Sequence, residues 1–147
     1  MDRRYLSPVE LLNASTQHAY CADYLLHHFA LGELRSNTSM TALAPVVSLL
    51  YQAFTLLFKA YCLHDSRPVK EHKNLMELVE LNAHLGFSSQ DRALLKTLSR
   101  QYALHKGIEY DLWENMQELQ VFCASLLSLY ERVQSMMPLE LQPDYHS

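Results

Sequence analysis

Apolar residues recur at spacings of three and four along most of the chain, and no stretch shows sustained alternation at a spacing of two. The first periodic stretch opens at Ser7-Pro8-Val9-Glu10, a capping box with proline at the first helical position, and closes at Gly32. Within it Leu11, Leu12, Ser15, Ala19, Ala22, Leu25, Leu26 and Phe29 share one face, which predicts an amphipathic helix. A polar connection over residues 33–41 follows, and Pro45 suits the first turn of a second helix reaching about His64. Leu43, Val46, Val47, Leu50, Phe54, Leu57, Phe58 and Tyr61 give that helix the broadest apolar stripe in the chain, so it is predicted to be the central core helix.

Asp65-Ser66-Arg67-Pro68 breaks the pattern, because proline disfavours a helical conformation in the residue before it. A third helix is expected from near Lys70–His72 to Gly86, with Leu75, Leu78, Val79 and Leu85 inward and Glu71, Glu77 and Glu80 outward. Ser88-Ser89-Gln90-Asp91 is a capping signal for a fourth, which points Leu94, Leu95, Leu98 and Tyr102 inward and ends at Gly107. Asp111-Leu112-Trp113-Glu114 caps a fifth, carrying Met116, Leu119, Phe122, Cys123, Leu126, Leu129, Tyr130 and Val133. With no strand pattern and few β-branched residues, the fold class is all-α. A single-domain bundle of about five helices is expected over residues 1–137, with residues 138–147 as a flexible tail.

Composition narrows the function more than the fold. At 147 residues, 49% apolar and 19% charged, the chain has ordinary globular usage, which excludes a disordered or fibrous protein. Its three glycines lie too far apart to build a phosphate cradle, and no G-x-S-x-G elbow is present. A net charge of −4 means that any nucleic-acid contact must be local. Three cysteines with no C-x-x-C spacing and no secretory signal ahead of them read as buried thiols of a reducing cytosol. No run approaches the roughly 18 apolar residues that span a bilayer. A cytoplasmic protein with no membrane contact is expected.

The pattern with the most chemical content is Arg100-Gln101-Tyr102-Ala103-Leu104-His105. Five helical positions advance about 500°, leaving the two ends roughly 140° apart, so they converge only if the helix frays or turns before Gly107. A histidine that moves protons beside an arginine that fixes phosphate charge can cleave a phosphodiester without metal. The plainer structural reading makes Arg100 a solvated side chain and His105 a partner of the helix C-terminal dipole. The same spacing recurs at Arg67 and His72, on the loop into the third helix. Lys59 interrupts the stripe of the second helix, as a snorkelling side chain or as the buried partner of an acidic one. His18 with Cys21, and His27 with His28, do not amount to a four-ligand metal set, and no cofactor is expected. The nine tyrosines and the Phe54/Phe58 pair follow helical faces and are assigned to core packing.

The segment Leu50-Tyr51-Gln52-Ala53-Phe54-Thr55-Leu56-Leu57-Phe58-Lys59-Ala60-Tyr61, followed by His72-Lys73-Asn74-Leu75-Met76-Glu77-Leu78, resembles the central helix and following helix of HEPN domains. Arg100 to Gly107, then Asp111 and the last helix, resembles the arginine–polar–histidine motif of HEPN ribonucleases, and the likeness spans roughly residues 10 to 135. It implies an all-α bundle that acts as a homodimer and cleaves single-stranded RNA without metal, as a toxin or defence protein. In that role Arg100 and His105 of both chains would meet at the dimer interface to form the site, Arg100 stabilising the transition state, His105 acting as general acid or base and Gln101 holding the polar second position. An antitoxin or nucleotidyltransferase-like protein is the implied partner. Gln101 stands where the family more often has asparagine. Gly107 stands where some toxins carry a tyrosine, with Tyr110 nearby. Many HEPN domains lack the catalytic pair and serve as interaction or dimerisation modules, which is the alternative function. A third is small-ligand or nucleotide binding between helices, with Tyr20, Tyr24, Lys59 and His72 around an apolar pocket.

Overall fold

The computed structural model describes residues 7–30, 44–66, 74–105, 116–138 and 141. Among them it is all-helical, with five α-helices: α1 (Pro8–Ala30), α2 (Ala44–His64), α3 (Leu75–Leu81), α4 (Ser89–His105) and α5 (Met116–Gln134). A 3-10 turn over Ala83–Leu85 joins α3 to α4.

The local signals that start the helices act as expected at two of them. Ser7 and Glu10 exchange reciprocal bonds at the head of α1: the Ser7 N–H donates to Glu10 Oε1 at 2.9 Å and the Glu10 N–H donates to Ser7 Oγ at 3.1 Å. Ser88 and Asp91 do the same at the head of α4, both bonds at 3.0 Å. The third helix differs from expectation. It begins at Leu75, because Asn74 is its N-cap and accepts the Glu77 N–H on Oδ1 at 3.3 Å. It also ends early, at Leu81, and the chain reaches Gly86 through the 3-10 turn. Gly86 then takes the left-handed conformation (φ 81°) that a residue without Cβ adopts at little cost. The expected cap of the fifth helix, Asp111 to Glu114, lies outside the described residues.

α2 is the hub: it packs against α1, α3, α4 and α5, and α1 is its most extensive neighbour. Val46, Leu50, Ala53, Phe54, Leu57, Phe58 and Ala60 are fully buried. Being covered on several sides also explains one departure from expectation. Pro45–His64 is in fact long and apolar enough to cross a membrane by length and composition, but most of that surface is buried inside the bundle.

Polar side chains also fix the helices to one another. Ser15 on α1 donates to the Ala53 carbonyl at 2.6 Å and lies 2.7 Å from the Tyr130 hydroxyl on α5. Tyr61 on α2 donates to the Val133 carbonyl in the last turn of α5 at 2.6 Å. Asn82 buries its carboxamide nitrogen against the Leu78 and Phe58 carbonyls at 2.9 and 3.3 Å, tying the end of α3 to α2. Beyond α5, in the stretch expected to be a flexible tail, Leu141 is buried and its N–H donates to the Pro138 carbonyl at 2.9 Å.

Candidate functional site

α4 carries the sequence motif, and its two sides differ sharply. Asp91, Leu95, Leu98 and Gln101 are buried, whereas Ser89, Ala93, Lys96 and Arg100 are exposed. The helix continues without a break to His105, so positions 100 and 105 stand about 140° apart around its axis. Within one chain the fraying that would bring them together is not seen. The side chain of His105 lies outside the described residues, as do Arg67, His72 and Tyr110 entirely.

Gln101, the motif's second position, points into the core. It has no solvent exposure, and among the described residues neither its amide oxygen nor its amide nitrogen has a hydrogen-bond partner. Its neighbour Tyr102 stacks flat on Tyr51 of α2, with ring centroids 3.9 Å apart and planes 6° apart, and its hydroxyl accepts from Gln52 Nε2 at 3.3 Å. Burial, then the nearness of Tyr102, push the Tyr51 hydroxyl pKa above its ordinary value. Lys59 is half-buried on α2 between the fully buried Phe58 and Ala60.

One side of α4 carries basic residues, of which Lys96 and Arg100 are exposed and Arg92 half-buried. Arg92, Lys96 and Arg100 follow at intervals of four, one helical turn apart, and the helix contains no carboxylate except Asp91. Asp91 is held by Arg132 of α5 at 2.6 Å, and Arg92 by Glu80 at 2.6 Å.

A second surface lies on α1. Its buried stripe is Leu12, Ser15, Ala19, Ala22 and Leu26; the opposite side exposes Asn13, Gln17, Tyr20, Tyr24 and His27 at spacings of four and three. Tyr20 is 73% and Tyr24 62% exposed, and across a groove on α5 Val121 is 60% exposed. These two tyrosines therefore correct the assignment of the tyrosines to the core. The signal was available in the phase of the helix, since positions 20, 24 and 27 fall outside the stripe that the apolar residues define. A depression of about 600 Å³ is lined by Tyr20, Cys21, Asp23, Tyr24, Leu25 and His27. A second, of about 340 Å³, connects Asp23, Leu26 and His27 to Gln120, Val121 and Ala124 of α5. Tyr24 is braced by His28, one turn on, with ring centroids 4.0 Å apart. Of the four residues expected around a ligand pocket, Tyr20 and Tyr24 line the first of these depressions, Lys59 lines neither, and His72 lies outside the described residues.

The cysteines also divide. Cys62 and Cys123 are buried, as expected, but Cys21 is exposed on the flank of α1, one position before the buried Ala22. Burial pushes the Cys123 thiol up to about 12, so it is no nucleophile at neutral pH. Among the described residues no group of three histidines, cysteines or carboxylates could hold a metal ion, and His18 instead directs its Nδ1 to the Ala14 carbonyl at 2.8 Å. Set against known protein families, curated proteins and solved structures, the chain matches none, so its own geometry carries the functional argument.

Proposed function

We propose that the chain is a non-catalytic helical interaction module, HEPN-like in its helix order, that docks onto another protein through the outer face of α1 and the adjoining edge of α5. The observation that carries this reading is the exposure of Tyr20 and Tyr24 on α1, next to a depression that Asp23 and His27 share with the exposed Val121 of α5. At about 200 Å² per tyrosine side chain, the two tyrosines together leave roughly 270 Å² exposed on one face of α1. Aromatic side chains held by their own helix are the usual energetic anchors of an interface. The free thiols of Cys21, Cys62 and Cys123 fit a reducing, cytoplasmic setting.

The test is site-specific photo-crosslinking in the cells that make the protein. A photoreactive residue at position 24 is expected to give a discrete protein adduct that the same residue at Ala93, exposed on α4, does not. Equal or absent adducts at both positions would reject the reading.

A second reading, a metal-independent ribonuclease or RNA-binding protein, is favoured by the basic edge of α4. Lys96 and Arg100, beside an Arg92 that is paired with Glu80, give an otherwise acidic chain local positive charge of the kind a phosphate backbone attracts. Lys96→Glu with Arg100→Glu is expected to abolish retention of single-stranded RNA in a gel-shift experiment if this reading holds. RNA that is unretained by the wild type at low salt removes it.

A further inference from the structure

We infer that the occupant of the α1–α5 face is an arginine- and lysine-rich segment of another protein, whose cationic side chains lie on Tyr20 and Tyr24 and pair with Asp23. The inference rests on the docking reading above and adds the chemistry of the partner. It is carried by how the fixed charges divide among the helices. α1 contains no lysine or arginine, and its carboxylates are Glu10 and Asp23. α5 adds Glu118 and Glu131, and its one fixed cation, Arg132, is held by Asp91 of α4 at 2.6 Å. The remaining lysines and arginines among the described residues are Lys59 on α2 and Arg92, Lys96 and Arg100 on α4. The face that bears the exposed tyrosines is therefore acidic, while the basic side chains lie on other helices.

Position matters as much as sign. Asp23 is exposed and lines both depressions, with Tyr20 and Tyr24 in the first and with Gln120 and Val121 in the second. Glu131 continues the edge of α5 on which Gln120 and Ala124 lie, at helical spacings of four and seven, so a second exposed carboxylate stands on that rim. The exposed tyrosine rings present the negative π-faces that attract a cation, and the contact of Tyr24 with His28 holds one of them in place. Arginine uses both kinds of neighbour at once, since its plane stacks on an aromatic ring while its N–H groups reach a carboxylate. An anionic occupant, whether nucleic acid or acidic membrane, meets repulsion from the same carboxylates.

Peptide selection on the full chain tests the partner's chemistry. A random peptide library displayed on phage is panned on the wild type, and clones that also bind a Tyr20→Ala/Tyr24→Ala variant are discarded; circular dichroism first checks that every variant keeps native helicity. The retained clones are expected to carry arginine and lysine at about twice their frequency in the starting library or more. A synthetic peptide of the most frequent clone is expected, in fluorescence anisotropy, to bind Asp23→Lys about tenfold or more weakly than wild type. Glu77→Lys, which makes the same change of charge on α3, is expected to weaken it by less than about threefold. Equal affinity for these two variants would mean that the peptide does not read the α1 face, and would overturn the inference. Retained clones that are neutral or acidic overturn it as well, and leave the docking surface standing with another occupant. A selection that yields no clone dependent on the tyrosines overturns the docking reading and the inference together.

Discussion

Ser15 sits where three helices meet, and its single proton decides how the junction responds to mutation. The Ala53 carbonyl can only accept, so the Ser15 hydroxyl donates to it, and the Tyr130 hydroxyl must then donate to Ser15. Ser15 has no solvent exposure and Tyr130 is 4% exposed. Tyr130→Phe removes a donor and leaves Ser15 bonded to Ala53, with the edge-to-face contact between ring 130 and Phe54 (5.5 Å) retained. Its expected cost is that of one net hydrogen bond, about 1 kcal/mol. Ser15→Ala is worse, because it strands the buried Tyr130 hydroxyl; about 1–3 kcal/mol is expected. Thr16 Oγ1 is buried, has no hydrogen-bond partner among the described residues and lies near enough to Tyr130 to bear on its ionisation, so it is a fallback acceptor. Thr16→Val in the Ser15→Ala background closes that route and brings the loss to the upper end of the range. Since Tyr130→Phe removes the stranded group, the Ser15→Ala/Tyr130→Phe double variant is expected to lose less than the two singles combined. Urea denaturation followed at 222 nm, with unchanged slope, measures all four. Additive losses, or a Tyr130→Phe variant less stable than Ser15→Ala, would refute the proton assignment.

Gln101→Leu is expected to stabilise the fold by about 1–3 kcal/mol, since it replaces a buried carboxamide that lacks partners with an apolar side chain of similar size; a lowered urea midpoint would show that Gln101 is satisfied by something the single chain does not display. Cys21 should react with Ellman's reagent within seconds at pH 8 while Cys62 and Cys123 react only on unfolding, and three equally fast thiols would contradict the burial of Cys62 on α2 and Cys123 on α5. The raised Cys123 pKa makes its protonated form part of the native state, so its contribution is complete below pH 9 and is lost as pH rises from 9 toward 12. About 1 kcal/mol should be gone by pH 10, and Cys123→Ala should flatten that slope; Tyr61 and Tyr130, also raised by burial, extend the loss to higher pH. Arg132→Met is expected to cost about 1–2 kcal/mol, because it leaves the nearly buried Asp91 carboxylate without its cation at the head of α4, and a neutral result would mean the capping bonds alone hold that charge.

Much of the fold was legible because its signals are local. Ser7 with Glu10 and Ser88 with Asp91 mark helix starts by contacts three residues apart, and the stripes of α2 and α5 locate the core without knowledge of neighbours. The start of α3 was misplaced because Asn74, a single cap, competes with a run of polar residues that carries no stronger signal. What could not be read is what distant residues do together: nothing in the chain says that Arg132 meets Asp91, 41 positions away, or that Ser15 meets Tyr130 at a separation of 115. The site was obscured for a different reason. Residue type suggested that Tyr20 and Tyr24 were core, and only their helical phase says otherwise; the same phase puts Gln101, three positions after Leu98, inside.

Whether the chain acts through a surface or through a reaction is decided by one assay: single-stranded RNA incubated with purified wild type in excess chelator, beside Arg100→Ala and His105→Ala. For a module that acts through a surface, the three proteins are expected to leave the RNA equally intact. Cleavage by the wild type that both substitutions abolish, with helicity unchanged, would contradict a non-catalytic module and make the α4 motif an active site.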